Sequence, residues 1–285
     1  MILDCAGKPL DLGQPAIMGV LNITPDSFSD GGDFLPVEKA VARARSMVEE
    51  GAAIIDVGGE STRPGAAHVP VAEELHRVLP VIDALVQTIP VPVSIDTRKP
   101  EVMQAAVAAG AGLINDVHAL QAPGALEVAA SLGVPVCLMH MQGTPEDMQV
   151  NPEYADVVAE VRRFLVERAA ACTGAGIDPA QIILDPGFGF GKTVEHNLLL
   201  LRHLHRLVAE GYPVLVGLSR KSLIGKVLGL DVDDRLYPGI ALAVLAVWQG
   251  AAIVRCHDVR ATREAVCMCQ AVRDVGAESV SCGKH

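Results

Sequence analysis

The chain has 285 residues, 50% of them hydrophobic but only 3% aromatic, so its core must be built mainly from Ala, Val, Leu and Ile. Its net charge of -11 argues against non-specific nucleic-acid binding, which requires a basic surface. The N-terminus lacks the apolar stretch of a secretory signal, and the longest apolar run, 240–248, is too short to span a bilayer. We therefore expect a cytoplasmic protein that acts on small molecules, with neither nucleic acid nor membrane as a partner.

Short apolar runs, each closed by a polar residue or glycine, predict the β-strands of the protein. They lie at 16–22, 54–58, 92–96, 113–117, 136–141, 182–187, 214–219 and 253–258. Because these runs are apolar almost throughout, they are typical of parallel strands that are covered on both faces.

Amphipathic segments between the predicted strands predict helices. In the first segment, for example, Val37, Val41, Ala44 and Val48 share one helix face. The predicted helices lie at 37–51, 71–87, 100–110, 124–132, 153–173, 195–210, 234–250 and 261–275, and glycine closes several of them, as is common at a helix C-cap.

This alternation of strands and helices predicts an α/β fold, a single (β/α)8 TIM barrel. A doubly wound open sheet is the alternative. Polar residues cluster at the C-terminal ends of all the predicted strands, whereas an open sheet concentrates them at its switch point, so the barrel is favoured. We expect one domain at 1–275 and a flexible tail at 276–285.

Two predicted connections from a strand to the following helix are unusually long. They cover 23–35 and 59–70 and are rich in Gly, Pro, Ser and Thr. In a barrel, both loops lie over the C-terminal mouth, where the active sites of such barrels are found. Loops of this length and composition are either disordered or functional lids.

Polar side chains at the predicted strand ends define a candidate site. The set consists of Asn22, Asp56, Asp96, Asn115, His140, Asp185, Ser219, Lys221, Arg255 and His257. One such residue alone is usually a structural hydrogen-bonding group, but a barrel brings all of them to one mouth. Two roles stay open at this point: His140 is a ligand contact or a packed residue, and Asp56 is a positioning or a purely structural residue.

The side chains of this site divide into chemically different groups. Asp96, Asn115 and Asp185 accept hydrogen bonds, and Lys221 or a planar heterocycle with amino and ring N–H groups would satisfy them. A cationic group suits an anion such as phosphate or carboxylate, and it consists of Arg63, Arg255 and His257. We therefore expect a site with a heterocycle end and an oxyanion end.

Three further segments bear on ligand binding. Asn22 and Asp26 offer oxygen atoms that suit Mg²⁺, which proteins usually hold with few side chains together with substrate phosphates. The segment 219–222 precedes a helical pattern, and a helix N-terminus there would add an anion site. The segment 187–193 resembles a phosphate-binding loop, but Pro186 occupies the place of a required glycine, so we interpret its glycines as allowing close approach to a ligand.

Together these segments resemble the motifs of the bacterial dihydropteroate synthases, in the same order. The matching segments are NITPDSFSDGG (22–32), DVGGESTRPG (56–65), SIDT (94–97), INDV (114–117), MHMQGTPEDMQ (139–149), DPGFGFGK (185–192), GLSRKSLIG (217–225) and RCHDV (255–259). The resemblance covers about residues 12–275. It implies a transferase of folate biosynthesis that joins 6-hydroxymethyl-7,8-dihydropterin pyrophosphate to p-aminobenzoate and releases pyrophosphate. It also implies Mg²⁺ dependence, inhibition by sulfonamides and a homodimer.

The resemblance also implies a role for each matching residue. Those that would hold the pterin are Asp96, Asn115, Met139, Asp185 and Lys221. Those beside Mg²⁺ would be Asn22 and Asp26, and those that contact the pyrophosphate would be Thr62, Arg63, Arg255 and His257. The p-aminobenzoate carboxylate would meet Ser219, and its ring would lie against Phe28, Pro64, Gly189 and Phe190. The residues implied in catalysis are Asn22, Asp26, Arg63, Lys221, Arg255 and His257.

An ionising displacement fits this set of residues. As pyrophosphate leaves, positive charge grows on the pterin methylene, so no protein nucleophile is needed and catalysis comes from positioning and electrostatics. The alternative from a different reaction class is a pterin-binding methyltransferase that moves a methyl group from methyltetrahydrofolate to a corrinoid protein. It would share the barrel and the pterin acceptors, but it has no need of the cations Arg63, Arg255 and His257.

Overall fold

The computed structural model of the protein describes residues 1–23, 34–61, 68–144, 148 and 150–275, without the side chains of 34–36. The predicted contacts of Asp26, Phe28, Thr62, Arg63 and Pro64 lie outside these residues, as does the predicted tail at 276–285. The strands, and the other residues of the candidate site, lie within them.

The described strands form an N-terminal hairpin and an eight-stranded parallel barrel. The hairpin strands β1 Ile2–Cys5 and β2 Lys8–Asp11 are antiparallel. The barrel strands are β3 Ala16–Asn22, β4 Ile54–Gly58, β5 Val93–Asp96, β6 Leu113–Asp116, β7 Val136–Met139, β8 Ile182–Asp185, β9 Leu215–Val216 and β10 Ile253–Cys256. Their order is β8-β7-β6-β5-β4-β3-β10-β9, and a parallel bridge between Leu184 and Val214 joins the two ends. The predicted barrel is confirmed.

Five strands end earlier than predicted, among them β6 at Asp116 and β10 at Cys256. The strand β7 ends at Met139, β8 ends at Asp185, and β9 consists only of Leu215–Val216. At the end of β8 the cause is local. The Asp185 Oδ1 atom accepts a hydrogen bond from the Gly187 N–H at 2.7 Å, and Gly187 has a φ of 67°, so the chain turns away from the sheet.

Helices surround the barrel. Their bounds are α1 Phe34–Glu49, α2 Val71–Thr88, α3 Pro100–Ala108, α4 Ala125–Leu132, α5 Val157–Gly174, α6 Val194–Arg202, α7 His205–Val208, α8 Ser222–Leu228, α9 Leu236–Trp248 and α10 Val259–Arg273. The predicted helix at 195–210 is therefore divided into α6 and α7, and α8 is an additional helix after β9. The start of α6 is fixed by a capping box, in which Thr193 and His196 each bond the other's backbone N–H. None of the helices in the described ranges has the length and apolar character that crossing a membrane requires.

The two faces of each barrel strand have different surroundings, as the strand β4 illustrates. Ile55 and Val57 belong to the apolar core between the barrel and the helices, whereas Ile54 belongs to a separate cluster inside the barrel. Since successive side chains of a strand alternate in direction, Asp56 also points into the barrel interior. A buried carboxylate inside an apolar strand is therefore a direct consequence of the sequence IIDVG.

The N-terminal hairpin closes one end of the barrel. Leu3, Cys5 and Leu10 are buried in a cluster with interior side chains from the first residues of the strands, among them Leu113, Cys137, Ile183 and Ile253. The approach is close, because a Cβ atom at Gly112 would lie 2.3 Å from the Cys5 carbonyl oxygen. The sequence reading did not predict this hairpin. It fills the N-terminal end of the barrel and leaves the C-terminal end for ligands.

Candidate active site

A buried polar layer lies where β4, β5 and β6 end. Asp96 pairs with Gly58 on one side and with Asn115 on the other, so the strand register sets these groups next to one another. The Asp56 Oδ2 atom accepts hydrogen bonds from Arg255 Nε at 2.6 Å and from Asn115 Nδ2 at 3.0 Å. Arg255 also donates through Nη2 to Asp96 Oδ2 at 2.7 Å. One guanidinium from β10 therefore joins two carboxylates across the barrel.

Burial and charge act in opposite directions on the protonation of this layer. Burial raises the pKa of Asp96 to about 7, although Arg255 lowers it, and the negative charge of Asp56 raises it further. Burial alone would lower the pKa of Arg255, but Asp56 and Asp96 outweigh it and raise that pKa above its ordinary value. The layer is therefore short of hydrogen-bond donors and suits a ligand that brings N–H groups. Asp56 holds Arg255 and Asn115 through these two hydrogen bonds, an arrangement that favours a positioning role.

Asp185 and Lys221 lie on the adjoining part of the mouth. Burial raises the pKa of Asp185 to about 6, although the hydrogen bond from Gly187 and the charge of Lys221 lower it. Burial lowers the pKa of Lys221 to about 8, and Arg255 lowers it further. The Lys221 Nζ atom lies 4.1 Å from the centroid of the Phe190 ring, a cation–π contact. A ligand edge placed here would meet one acidic and one basic side chain.

The apolar wall of the mouth comes from β7 and from the glycine-rich turn after β8. Met139 and Phe190 are buried in one cluster with Val117 and Met148. Gly189 has a φ of 83°, and a Cβ atom there would lie 3.3 Å from Lys221 Cδ, so the turn runs close to the lysine stem. The predicted contacts Met139, Gly189 and Phe190 are thus brought together.

Ser219 and His257 follow β9 and β10 and contact each other. The Ser219 Oγ atom lies 3.1 Å from His257 Nδ1 and accepts the His257 backbone N–H at 3.3 Å. The helix α8 begins only at Ser222, and Arg220, with a φ of 57°, lies between and pairs with Asp258 at 2.7 and 3.1 Å. The sequence reading grouped Ser219 with the start of this helix, whereas the structure joins the Ser219 hydroxyl to His257.

Asn22 ends β3 at the same mouth. It pairs with Gly58, and a Cβ atom at Gly58 would lie 3.8 Å from Asn22 Oδ1 and 3.7 Å from Asp96 Oδ2. Because Gly58 has no side chain, Asn22 Oδ1 and Asp96 Oδ2 border the same open space beside it. Among the residues that the structure describes, no group of three or more His, Cys, Asp or Glu side chains is arranged to hold a metal ion.

His140 packs against Phe164 and Lys192, which favours the packed residue among its two predicted roles. Its exposed fraction is 7%, and its ring stands edge-on to Phe164 with centroids 4.9 Å apart. The Lys192 Nζ atom lies 3.0 Å from His140 Nδ1. Burial, with Lys192, lowers the pKa of His140 to about 3, so the ring is neutral. The sequence did not predict a role for Lys192. Its position directly after three alternating glycines was a signal that a charged side chain lies at this close-packed turn.

Comparisons with known proteins agree with this site. Residues 18–257 match the family described as pterin binding enzyme. The dihydropteroate synthase of Escherichia coli strain K12 is 53% identical over 266 residues, which cover 93% of this chain and 94% of that protein. The Xanthomonas albilineans dihydropteroate synthase with 4-aminobenzoic acid is 56% identical, with a TM-score of 0.91 over 96% of this chain and 98% of that one. The Yersinia pestis enzyme in complex with a sulfonamide drug is 50% identical, with a TM-score of 0.92 over 96% of this chain and 100% of that one.

The barrel and its buried acceptor layer are therefore those of a pterin-binding enzyme. The chain belongs to the pterin-binding enzyme family and, within it, to the dihydropteroate synthases. It is a transferase.

Proposed function

We propose that the C-terminal mouth of the barrel condenses 6-hydroxymethyl-7,8-dihydropterin pyrophosphate with p-aminobenzoate to give 7,8-dihydropteroate and pyrophosphate. The observation that carries this proposal is the convergence of Asp96, Asn115 and Asp185 with Lys221 and Arg255 at one barrel end, in a chain of this family. The division of the chain into one domain at 1–275 and a tail at 276–285 is part of the same proposal.

The pterin would bind in the acceptor layer. Its amino group and adjacent ring N–H suit the carboxylate of Asp185 as a two-point acceptor. The amide nitrogen of Asn115 uses one of its two N–H groups for Asp56, and its carbonyl oxygen is suited to accept from a ligand donor. Met139, 4% exposed, would contribute an apolar contact to the ring. Such an arrangement satisfies carboxylates that burial has made short of donors.

The pyrophosphate would lie at the cationic edge, against Arg255 and His257. Arg255 uses Nε and Nη2 for Asp56 and Asp96, so Nη1 is the donor nitrogen that neither bond uses. The predicted contacts Thr62 and Arg63 lie outside the described residues and stay predictions from the resemblance. These cations would stabilise the charge of the leaving group as it departs.

The residues present fit Mg²⁺ as a partner of the leaving group. The Asn22 side-chain oxygen faces the mouth, and the described residues form no closed metal cage. This combination is typical of Mg²⁺, which is held by one or two side chains together with substrate phosphates. Asn22, with Asp26 from the first long loop, would hold the ion, which would supply charge neutralisation for the departing pyrophosphate. The magnesium requirement is a proposal that the turnover assay below tests.

The chain's own residues would act by positioning and electrostatics. As the bond to pyrophosphate breaks, positive charge grows on the pterin methylene, and the negative charge of Asp96 at the mouth would help to stabilise it. The p-aminobenzoate amine then attacks the methylene, forms the C–N bond and loses one proton to the released pyrophosphate or to water. Phe190 and Gly189, with Phe28 and Pro64 from the long loops, would hold its ring, and Ser219 would lie at its carboxylate end. Alignment of the two substrates provides the rest of the rate.

Pyrophosphate release tests the proposed reaction. We expect release that requires p-aminobenzoate and Mg²⁺ and that matches dihydropteroate formation in amount. Pyrophosphate release that continues over many turnovers without p-aminobenzoate, or no dihydropteroate at any Mg²⁺ concentration, would contradict the proposal. A sulfonamide should compete with p-aminobenzoate and not with the pterin substrate.

We also propose that two copies of the chain associate through the outer face of α9 and α10. Tyr237, Leu245 and Trp248 are 80%, 53% and 56% exposed along α9, and Met268 adds a 66% exposed side chain on α10, which packs beside α9. Contiguous exposed apolar surface of this kind is uncommon on monomers. The occupant we choose is a second copy, since the family resemblance implies a homodimer.

Light scattering tests this association. The wild type should have the mass of a dimer, and Leu245→Glu should give a folded monomer, because it places a charge in the apolar contact. Leu198→Glu is the matched control, since Leu198 is an exposed leucine on α6. A monomeric wild type, or a dimer that survives Leu245→Glu, contradicts the proposal.

A further inference from the structure

A buried lysine closes the glycine-rich turn that follows β8. Lys192 is 2% exposed. Its Nζ atom donates to the carbonyl oxygens of Gly187 and Phe190, both at 2.9 Å, and to that of His140 at 3.2 Å. The same nitrogen lies 3.0 Å from His140 Nδ1. Burial lowers the pKa of Lys192 to about 7, and its amino group is enclosed by acceptor atoms from the turn and from the chain after β7.

The geometry of the turn explains why it needs this hydrogen-bond donor. Gly187, Gly189 and Gly191 have φ values of 67°, 83° and 60°, so every second residue of the turn has a left-handed backbone conformation. A Cβ atom at Gly187 would lie 1.9 Å from the His140 carbonyl oxygen, so the turn lies directly against the chain after β7. Carbonyl groups in such a buried position require donors, and Lys192 supplies them.

The atoms that Lys192 holds are connected to the proposed substrate contacts. Gly187, whose carbonyl accepts from Lys192, donates its N–H to Asp185 Oδ1 at 2.7 Å. Phe190, whose carbonyl also accepts from Lys192, carries the ring that lies 4.1 Å from Lys221 Nζ. One intervening residue, Gly187, therefore connects Lys192 to the Asp185 carboxylate, and one other, Phe190, connects it to the Lys221 ammonium.

We infer that Lys192, together with His140, is a positioning residue that fixes Gly187 and Phe190 and so keeps the Asp185 carboxylate and the Lys221 ammonium in the arrangement that the pterin requires. Lys192 lies beneath the turn and acts through these neighbours. The inference rests on the proposed function, because Asp185 and Lys221 are the pterin contacts there.

The test compares two lysines whose Nζ atoms each donate to three backbone carbonyl oxygens at opposite ends of the barrel, Lys192 buried and Lys8 part-buried. Lys192→Met removes the amino group and keeps most of the side-chain volume. Lys8→Met is the matched control: the Lys8 Nζ atom also donates to backbone carbonyl oxygens, those of Val86, Ile89 and Val91 at 3.2, 2.8 and 3.3 Å, but at the end that the hairpin closes. Both variants are expected to lower the Tm.

Two readouts separate positioning from general stability. Amide hydrogen exchange at 187–191 should become at least tenfold faster in Lys192→Met and stay unchanged in Lys8→Met. In steady-state assays kcat/KM for the pterin substrate should fall at least tenfold in Lys192→Met, mainly through KM, and stay within twofold in Lys8→Met.

Either unchanged exchange at the turn, or faster exchange with KM and kcat within twofold of the wild type, overturns the inference. A wild type that forms no dihydropteroate would instead overturn the proposed function. The hydrogen-exchange measurement would still test whether Lys192 fixes the turn at 187–191.

A second pair of variants keeps the inference testable if Lys192→Met does not fold. His140→Asn retains an acceptor oxygen near the position of Nδ1, whereas His140→Leu removes it. We expect His140→Leu to lose at least fivefold in kcat/KM and His140→Asn to recover most of that loss. Equal kinetic constants in the two variants would contradict a role for the Lys192 contact.

Discussion

Asp56→Asn removes one negative charge from the buried layer at the mouth and preserves the size of the side chain. In the structure, fully buried Asp56 accepts from Arg255 Nε at 2.6 Å and from Asn115 Nδ2 at 3.0 Å. A hydrogen bond to a charged group contributes about 1.5–3 kcal/mol, and a neutral one about 0.5–1.5 kcal/mol. Replacing the charged acceptor by a neutral amide therefore weakens the positioning of Arg255 by about 1–2 kcal/mol, which corresponds to roughly a 5- to 30-fold loss in kcat/KM.

The same substitution should change the pH dependence of the reaction. Burial raises the pKa of Asp96 to about 7, and the charge of Asp56 contributes to that rise. Since the ionised form of Asp96 is the proposed acceptor, kcat/KM of the wild type should increase with pH through about 7. Removing the Asp56 charge lowers the pKa of Asp96, so the acidic limb of the variant should move to lower pH.

The assay is pyrophosphate release at saturating p-aminobenzoate across this pH range. Asp116→Asn is the matched control, since Asp116 is equally buried but accepts the backbone N–H groups of His118 and Leu120, both at 2.7 Å. It should lower stability and move the limb less, because Asp116 contributes less to the pKa of Asp96 than Asp56 does. A value of kcat/KM for Asp56→Asn within twofold of the wild type, with an unmoved limb, would refute the reasoning.

Two further substitutions test the site and its support. Asp185→Asn should abolish binding of the pterin pyrophosphate in calorimetry, because it sets an N–H donor against a ligand N–H; unchanged affinity would contradict this. Burial raises the pKa of Asp185 from 3.8 to about 6, so the stability it contributes is present below pH 3.8 and is lost as the pH rises through 6. The variant should therefore gain stability relative to the wild type between those pH values, and a pH-independent difference in urea unfolding would rule that out. Lys99→Met should destabilise the protein by about 3–5 kcal/mol, because it leaves buried Glu74, whose Oε2 lies 2.5 Å from Lys99 Nζ, without its cation; a loss below about 1 kcal/mol in the same experiment would exclude this role.

The barrel was predictable because its signals are local. Each apolar run specifies a strand. Because successive side chains of a strand point to opposite faces, Asp56 lies on the same face of β4 as Ile54, in the barrel interior. The strand-end residues Asp96, Asn115 and Asp185 follow from the same pattern, because the C-terminal ends of parallel strands meet at one mouth. The division of the predicted helix at 195–210 was missed, since its apolar pattern continues across the break between α6 and α7.

Two features escaped prediction because long-range packing creates them. The hairpin strands β1 and β2 have only four residues each. They are held by burial against the N-terminal ends of the barrel strands. Gly112, which directly precedes β6, leaves room for Cys5 because it has no side chain. The role of Lys192 depends on His140, which lies 52 positions away. Neither contact has a spacing that a sequence pattern records.

The sequence by itself determined the barrel, the residues at its mouth and the family to which the chain belongs. The tertiary structure decided which of those charged residues form hydrogen bonds with one another. Arg255 is simply a cation in the sequence, but folding sets it within hydrogen-bonding distance of Asp56 and Asp96, which are 199 and 159 positions away. Because burial and partner distance set the pKa of each group, only the assembled barrel fixes which side chains are poised to receive a ligand.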